Sequence, residues 1–425
     1  MRVLISGASV AGPTLAFWLT RYGFDVTVVE RAPSPRKSGG HAVDLFKPAM
    51  DIVEKMGVLD RIEAHEAGTD IISIQRGGRR GLVELPEALI TSAVSQRHIE
   101  IMRDDLSEIL YEASSPTAEY IFGDSITALT EESTGVHVSF GKAPDRRFDL
   151  VIGADGLHSN VRSLVFGPEC GYSHWLGEYL AVASIPNYLD LKDRALMFPR
   201  VDRLAGIYSA KQLQDARAFF LFRTPEPLDY HHRDVDRQKQ ILKHLYADFG
   251  WEVPRMLAEL DTTDAFYMDS ITQLRMDTWS KGRITLVGDA GYCPGPAVGG
   301  STSIAVVGAY VLAGEIAAAE GDHTRGYLAY EAALRDYVHR SRQLALTASS
   351  TLVPKSRLGL LALVHGARIL QHLPSPLAHT LSRLVAARRL NIHDTFTLCD
   401  YQHVADRRYI SQSTDQQEPE HHWRQ

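Results

Sequence analysis

The chain has 425 residues, 44% hydrophobic and 23% charged, which excludes wholesale disorder and gives length for two or three cores. Its formal net charge is −7, so no nucleic-acid partner is expected, because a phosphate backbone would be repelled. Cys170, Cys293 and Cys399 are too few and too widely spaced for a disulfide framework or a CxxC metal pair, and a reducing, cytoplasmic setting is the expectation.

The apolar stretch that runs to Leu19 mimics a signal peptide, but Gly7, Gly12 and Pro13 interrupt it. Arg2–Ser6 reads as a short buried strand ending in a glycine loop. Pro13–Tyr22 has helical spacing through Leu15, Trp18 and Leu19, and Asp25–Val29 reads as a second buried strand ending at Glu30. Strand, tight turn, helix, strand is the opening of a βαβ unit. Residues 31–48 read as a loop, and Pro48–Ile62 as one helix with Ile52, Met56 and Leu59 inward. Ile71–Leu85 reads as a hairpin turning at Gly77-Gly78, and Arg103–Ala113 as a helix. Glu119–Phe140 alternates like antiparallel strands, and the buried run Phe148–Ile152 leads into Gly153-Ala154-Asp155-Gly156.

From Tyr179 to Thr224 short β-rich runs predict a mainly antiparallel sheet, followed by helical spacing over Asp234–Leu260. Ile284–Val287 is again a buried strand, ending in Gly288-Asp289. Helices are predicted over Ser301–Glu320 and Gly326–Leu346, and a basic amphipathic helical segment over 355–390, interrupted near Pro374 and Pro376. No uninterrupted apolar run reaches ~18 residues, so stable membrane insertion is not expected. The pair His231-His232 lacks HExxH or cysteine companions, so no metal site is expected.

Three segments carry chemistry. The first is Gly7-Ala8-Ser9-Val10-Ala11-Gly12, close to the G-x-G-x-x-G that lets a helix N-terminus face a pyrophosphate. Ser9 replaces the middle glycine, and its hydroxyl can donate to a phosphate. Glu30 stands where a carboxylate accepts from ribose hydroxyls and would repel a 2′-phosphate. The same segment approaches a G-x-S-x-G nucleophile elbow, but residue 11 is alanine and Glu30 would then have no role. The second is Asp149–Arg162, with Asp155-Gly156 at its turn. The third is Gly288-Asp289-Ala290, then Pro294, Pro296, Gly299 and Gly300. A helix starting near Ser301 aims its N-terminus at whatever Gly299 and Gly300 cradle, which suits negative charge.

In this order the three segments resemble the class A flavoprotein monooxygenases, the group of para-hydroxybenzoate hydroxylase, the tetracycline-inactivating enzymes and aromatic polyketide hydroxylases. The resemblance covers about residues 1–350. It implies an α/β fold: a Rossmann-like FAD-binding domain of the GR2 type, an inserted antiparallel β-sheet substrate domain and a C-terminal helical segment. The implied division is 1–70, 101–172 and 276–350 for the FAD domain, 71–100 for a substrate-domain hairpin and 173–275 for the substrate sheet. Residues 351–410 would form the helical segment and 411–425 a disordered tail.

The resemblance implies FAD contacts at Gly7, Ser9, Ala11, Gly12, Glu30, Arg31 and Asp44. It implies others at Arg103, Asp155, Gly156, Gly288, Asp289, Pro296, Gly299, Gly300 and Ser301. Two departures from the family pattern are Tyr292, where a histidine is usual, and Gly299-Gly300-Ser301 in place of G-x-G. The implied reaction uses FAD, NADPH or NADH, and O₂ to hydroxylate or epoxidise a small aromatic or polyketide-like substrate, with no fixed catalytic base.

Phe198, Tyr208, Phe220, Phe222, Met268 and Met197 are candidates to line the substrate pocket, with ordinary sheet core as the alternative for each. No second G-x-G-x-x-G occurs, so no separate nicotinamide domain is expected. A monomer or homodimer is expected. Two other readings stay open. One is a related flavoprotein that does not insert oxygen, although W-x-W-x-I-P of the halogenases is absent. The other is a flavin-free NAD-binding or hydrolase-like protein.

Overall fold

Two sheets of opposite character organise the chain. The computed structural model describes residues 1–35, 40–75, 82–87, 89, 95, 97–211, 213–295, 300–374, 377 and 392–401, with backbone alone over 347–352. Strand β1 (Arg2–Ser6), helix α1 (Ala11–Arg21) and β2 (Asp25–Glu30) come first, and β3 (Ala42–Phe46) leads directly into α2 (Lys47–Lys55) and α3 (Leu59–Ala64). β4 (Ile71–Ile74), β5 (Val83–Pro86) and β6 (His98–Met102) precede α4 (Arg103–Ser114). β7 (Glu119–Phe122), β8 (Ile126–Glu132), β9 (Gly135–Phe140), β10 (Arg146–Phe148) and β11 (Leu150–Gly153) precede α5 (Asn160–Phe166). β12 (Ser173–Pro186), β13 (Arg194–Arg200), β14 (Arg203–Ser209) and β15 (Asp215–Arg223) lead to α6 (Val235–Tyr246) and α7 (Val253–Glu259). β16 (Phe266–Leu274), β17 (Ser280–Lys281), β18 (Ile284–Leu286) and α8 (Asp289–Tyr292) precede α9 (Ser301–Ala318), α10 (His323–Leu352) and α11 (Arg357–His372).

The first sheet has the order β17-β18-β11-β1-β2-β7. All its pairings are parallel except β17 with β18. Such strands are covered on both faces, so they read as unbroken apolar runs: Val3, Leu4 and Ile5, and Leu150, Val151 and Ile152, are all 0% exposed. Helix α9 is apolar all round because it packs among other helices. By length and composition it could cross a membrane, yet 78% of it is buried inside the fold.

The second sheet, in order β16-β12-β15-β14-β13-β4-β5, is antiparallel except where β13 meets β4. The sheet is thus assembled from two distant stretches of chain. One face packs on α6 and α7 through Ala205, Ile207, Phe220, Phe222, Leu242, Tyr246 and Met256. The other face, with Leu180, Val182, Leu204, Leu221 and Ile271, looks the opposite way.

Three expectations on elements change. The loop expected over 31–48 contains β3, which pairs with β6 and buries Val43 and Leu45 on its inner face. A five-residue strand with one buried face leaves too little pattern to read. The helices expected over Pro48–Ile62 and Asp234–Leu260 are each two helices. β7 belongs to the parallel sheet, not to the hairpin formed by β8 and β9. The Gly77-Gly78 turn, residues 411–425 and most of 375–391 lie outside the described residues.

Candidate active site

The glycine turns meet at the C-terminal ends of β1, β11 and β18, where ligands bind in open parallel sheets. Gly7 has φ +108°, and a methyl there would stand 2.5 Å from the carbonyl oxygen of Ala154. A methyl on Gly12 would strike the carbonyl oxygen of Gly7. Both glycines are therefore fixed by the close approach of turn, helix and neighbouring strand. The three motifs also lock together. Val287 N–H donates to Gly153 O (2.9 Å), and the Arg162 guanidinium donates to Ala290 O (2.8 Å). A Cβ on Gly288 would stand 3.3 Å from that of Ala11, so the third motif lies against the start of α1.

Helix α1 has no side-chain cap at Val10, which leaves its first amides directed at the groove. Arg103, first residue of α4, donates to the Ser9 hydroxyl at 3.2 Å. The serine that departs from the glycine pattern thus meets a cation beside the helix N-terminus. Glu30, at the end of β2, accepts from Ala8 N–H (2.9 Å) and Ala32 N–H (2.8 Å), one on each carboxylate oxygen. Burial pushes the Asp289 carboxyl up, and Arg103 beside it works in the opposite direction. Glu30 and Arg103 thus both meet the first glycine turn, and Arg103 also acts on Asp289. A cavity of about 120 Å³ opens beside Ser9 and Arg103, lined also by Gly40, His41 and Tyr267. Burial, helped by Arg103, lowers the His41 pKa to about 4, so this imidazole is neutral at pH 7.

Asp155 stands at the turn after β11. Its carboxylate accepts from Ser159 Oγ (2.5 Å), Asn160 N–H (2.9 Å) and Val161 N–H (3.1 Å), so it fastens the start of α5. Gly156 beside it has nothing within 4 Å of the place its Cβ would take, and this is the open side of the turn. Asp44 pairs with His98 Nε2 at 2.7 Å. Its carbonyl accepts from Ser303 Oγ (3.1 Å), which ties β3 to the first turn of α9. Glu100 lies opposite Asp44 across the β3–β6 pair. Burial, with Asp44, Glu87 and Glu66, pushes its carboxyl well up. Gly300 caps α9 with φ +100°, and the His393 ring stands 2.8 Å from where its Cβ would be. Ser301 is the first residue of that helix. Arg31 is exposed, one residue beyond the end of β2. Pro296 and Gly299 lie outside the described residues.

The pocket candidates divide by strand parity. Phe220 and Phe222 are 0% exposed and Met268 3%, all in the core under α6 and α7, with Phe198 packed against it. These four point away from the groove, a correction to their expected lining role. Tyr208 points the right way: its hydroxyl accepts from Ala42 N–H at 3.2 Å. The groove-side residues are the alternates, Met197, Phe219 and Tyr267 with Leu180, Val182 and Arg217. Arg217 donates to Gly40 O at 3.2 Å and joins the sheet to the loop before β3. Tyr292, in place of the usual histidine, is buried and accepts from the Tyr330 hydroxyl at 3.0 Å. That makes it a core residue. His41 was detectable from its place directly after Gly39-Gly40; His98, His158, Ser303 and His393 carry no sequence signal.

The family described as FAD binding domain matches residues 1–347. A Mycobacterium tuberculosis protein without an assigned function is 42% identical over 344 residues, covering 80% of this chain and 92% of that one. A flavin-dependent monooxygenase of Legionella longbeachae is 36% identical over 365 residues, covering 84% of this chain and 90% of its own length. The crystal structure of tetracycline destructase Tet(55) matches with TM-score 0.80 and 33% identity, covering 94% of this chain and 98% of that one. The flavin-free readings and the nucleophile elbow fall away with these matches. The groove, the motifs that wall it and the relatives agree: the chain belongs to the FAD-binding family and is an FAD-dependent monooxygenase.

Proposed function

We propose that this monooxygenase hydroxylates or epoxidises a small aromatic or polyketide-like molecule held between the β3–β6 pair and the groove-side face of the antiparallel sheet. The observation that carries this reading is the Arg103–Ser9 contact, which joins α4 to the free N-terminus of α1. Positive charge and open amides at one point suit a pyrophosphate. FAD, when bound, supplies the acceptor for hydride from NADPH or NADH and the means of activating O₂.

The protein's own groups would do the rest. Arg103 and the amides at Ser9–Gly12 would hold the pyrophosphate, with Gly7 and Ala11 shaping the turn. Each Glu30 oxygen keeps a lone pair beyond its bond to Ala8 or Ala32, free to accept from a ribose hydroxyl. Asp289, after Gly288, would accept from the ribityl chain. The N-terminus of α9 at Gly300 and Ser301, with Pro296 and Gly299 before it, would face the charged edge of the reduced ring. Gly156 leaves room at the second turn, and Asp44 would stand near the ring. Met197, Phe219 and Tyr267 would keep water from the reacting atoms. The domain division by residue number, a cytoplasmic site and a monomer or homodimer complete the proposal.

The test is reconstitution with FAD, then NAD(P)H oxidation with a phenol and polyketide panel, tetracycline included, under ¹⁸O₂. One labelled oxygen in the product is the expected result. Oxidised product without label would replace oxygen insertion by simple oxidation. A colourless protein that refuses FAD would end the assignment of the groove.

A further inference from the structure

Beyond the groove, Arg342 stands out among the described residues. Its Nε and Nη2 atoms, on α10, are buried and have no hydrogen-bond partner among the described residues. Those two atoms form the edge of a guanidinium that matches a carboxylate or phosphate two-on-two. A buried charge without a partner is costly, so its retention calls for a ligand.

The neighbours add to the positive charge. Gln273, 0% exposed on β16, donates to the Arg342 carbonyl at 2.8 Å, while its own amide oxygen accepts from Arg275 Nη2 at 2.9 Å. One side chain thus holds both arginine segments. His174 lies directly across the strand pair from Gln273. His174 and Arg275 are exposed, so they form a rim over the half-buried Arg342. Among the described residues no carboxylate acts on Arg342, whose pKa falls to about 10 through burial and the nearby Arg275. Cys293 would act as an anion there only if ionised, and burial pushes that thiol well up, so it is neutral. Cys293 also connects this spot to the groove: its carbonyl accepts from Leu274 N–H at 3.0 Å, and its thiol meets Asp289.

We propose that Arg342, Arg275 and His174 form an anion site for a phosphate-sized group, carried by the 2′-phosphate of NADPH. The identity of that carrier rests on the monooxygenase reading. The chain has no second glycine-rich nucleotide motif, so side chains must meet the charge of the reductant. An anionic group on the oxygenated substrate is the other source of the same chemistry.

The test uses the full-length, FAD-loaded protein. Thermal unfolding is followed with inorganic phosphate and with 2′,5′-ADP for wild type, Arg342→Met and Arg342→Lys. Wild type should be stabilised by both ligands. Arg342→Met should melt no lower than wild type without ligand, since a buried unpaired charge is gone, and should lose the ligand shift. Arg342→Lys should lose most of it, because a point charge lacks the fork. Anaerobic bleaching of the flavin then gives apparent affinities for the two reductants. Arg342→Met should bind NADPH about 10- to 100-fold more weakly, the loss of charge-assisted hydrogen bonds, with NADH unchanged. An unchanged NADPH affinity with a lost phosphate shift assigns the site to an anionic substrate group instead. A phosphate shift that survives in Arg342→Met overturns the site. Wild-type flavin that neither nucleotide bleaches counts against the monooxygenase reading, and the phosphate shift still reports on the site.

Discussion

The two sheets present their ligand surfaces in different ways. In the parallel sheet the surface is a row of strand ends, where backbone turns at Gly7, Gly156 and Gly288 do the work and side chains lie buried behind them. In the antiparallel sheet the surface is a whole face, and every second residue of each strand belongs to it. A strand-end site is fixed by a few residues that must be small. A face site is fixed by parity, and a one-residue error moves each assignment to the wrong side.

The sharpest way to break this contrast is at neighbouring phenylalanines on β15. Phe220 fills the core under α6 and packs against Tyr246 at 5.0 Å, whereas Phe219 lies on the groove side near Tyr208. Phe220→Ala should lower unfolding free energy by about 3–5 kcal/mol. Phe219→Ala should lower it far less and instead change which substrates accelerate NAD(P)H oxidation. Denaturant titration of the two variants beside a substrate panel decides. Equal stability losses with no change in preference would end the division of faces.

The strand-end site is tested at Gly7. A side chain there meets both a positive φ and the Ala154 carbonyl, so Gly7→Ala should cost about 3 kcal/mol and lose FAD on gel filtration. Arg103→Ala should change stability little but weaken FAD binding about 10- to 100-fold, read by the recovery of free-flavin fluorescence. If the arginine variant keeps FAD as tightly as wild type, the pyrophosphate does not lie at Ser9.

The same contrast explains what could be read in advance. Glycine spacing and the acidic end of β2 mark the first sheet because the backbone conformations there exclude other residues. Ser9 looked like a flaw in the pattern and turns out to meet Arg103, 94 residues away. The antiparallel sheet offered aromatic runs such as Ala218–Phe222, but it is buried on both faces, so Phe219 and Phe220 look alike in sequence. β3 escaped notice because its partner β6 lies more than fifty residues on. His393 was invisible for the same reason, since Phe46, Tyr337 and Gly300 meet it only in the fold, and Arg342 because its two guanidinium nitrogens without a partner among the described residues show only in the packing.

The smallest effect concerns the seam between the two sheets. His158, two residues after Gly156, contacts Glu169 through Nδ1 and Asp269 of β16 through Nε2, each at 3.1 Å. Burial alone would lower its pKa, but the hydrogen bonds and charges of Asp269 and Glu169 outweigh burial and raise it to about 9. The imidazolium therefore pins the glycine turn of one sheet to a strand of the other. A pKa raised above the unfolded value of 6.5 stabilises fully below pH 6.5 and loses that contribution as pH rises towards 9. On the acid side Glu169 acts in reverse, because its pKa is lowered and its contribution fades as pH falls. Wild type should thus lose stability on the order of 1–2 kcal/mol between pH 6.5 and 9.5, while His158→Gln should show a flatter dependence over that interval. Parallel pH profiles of the two proteins would show the seam to be ordinary packing.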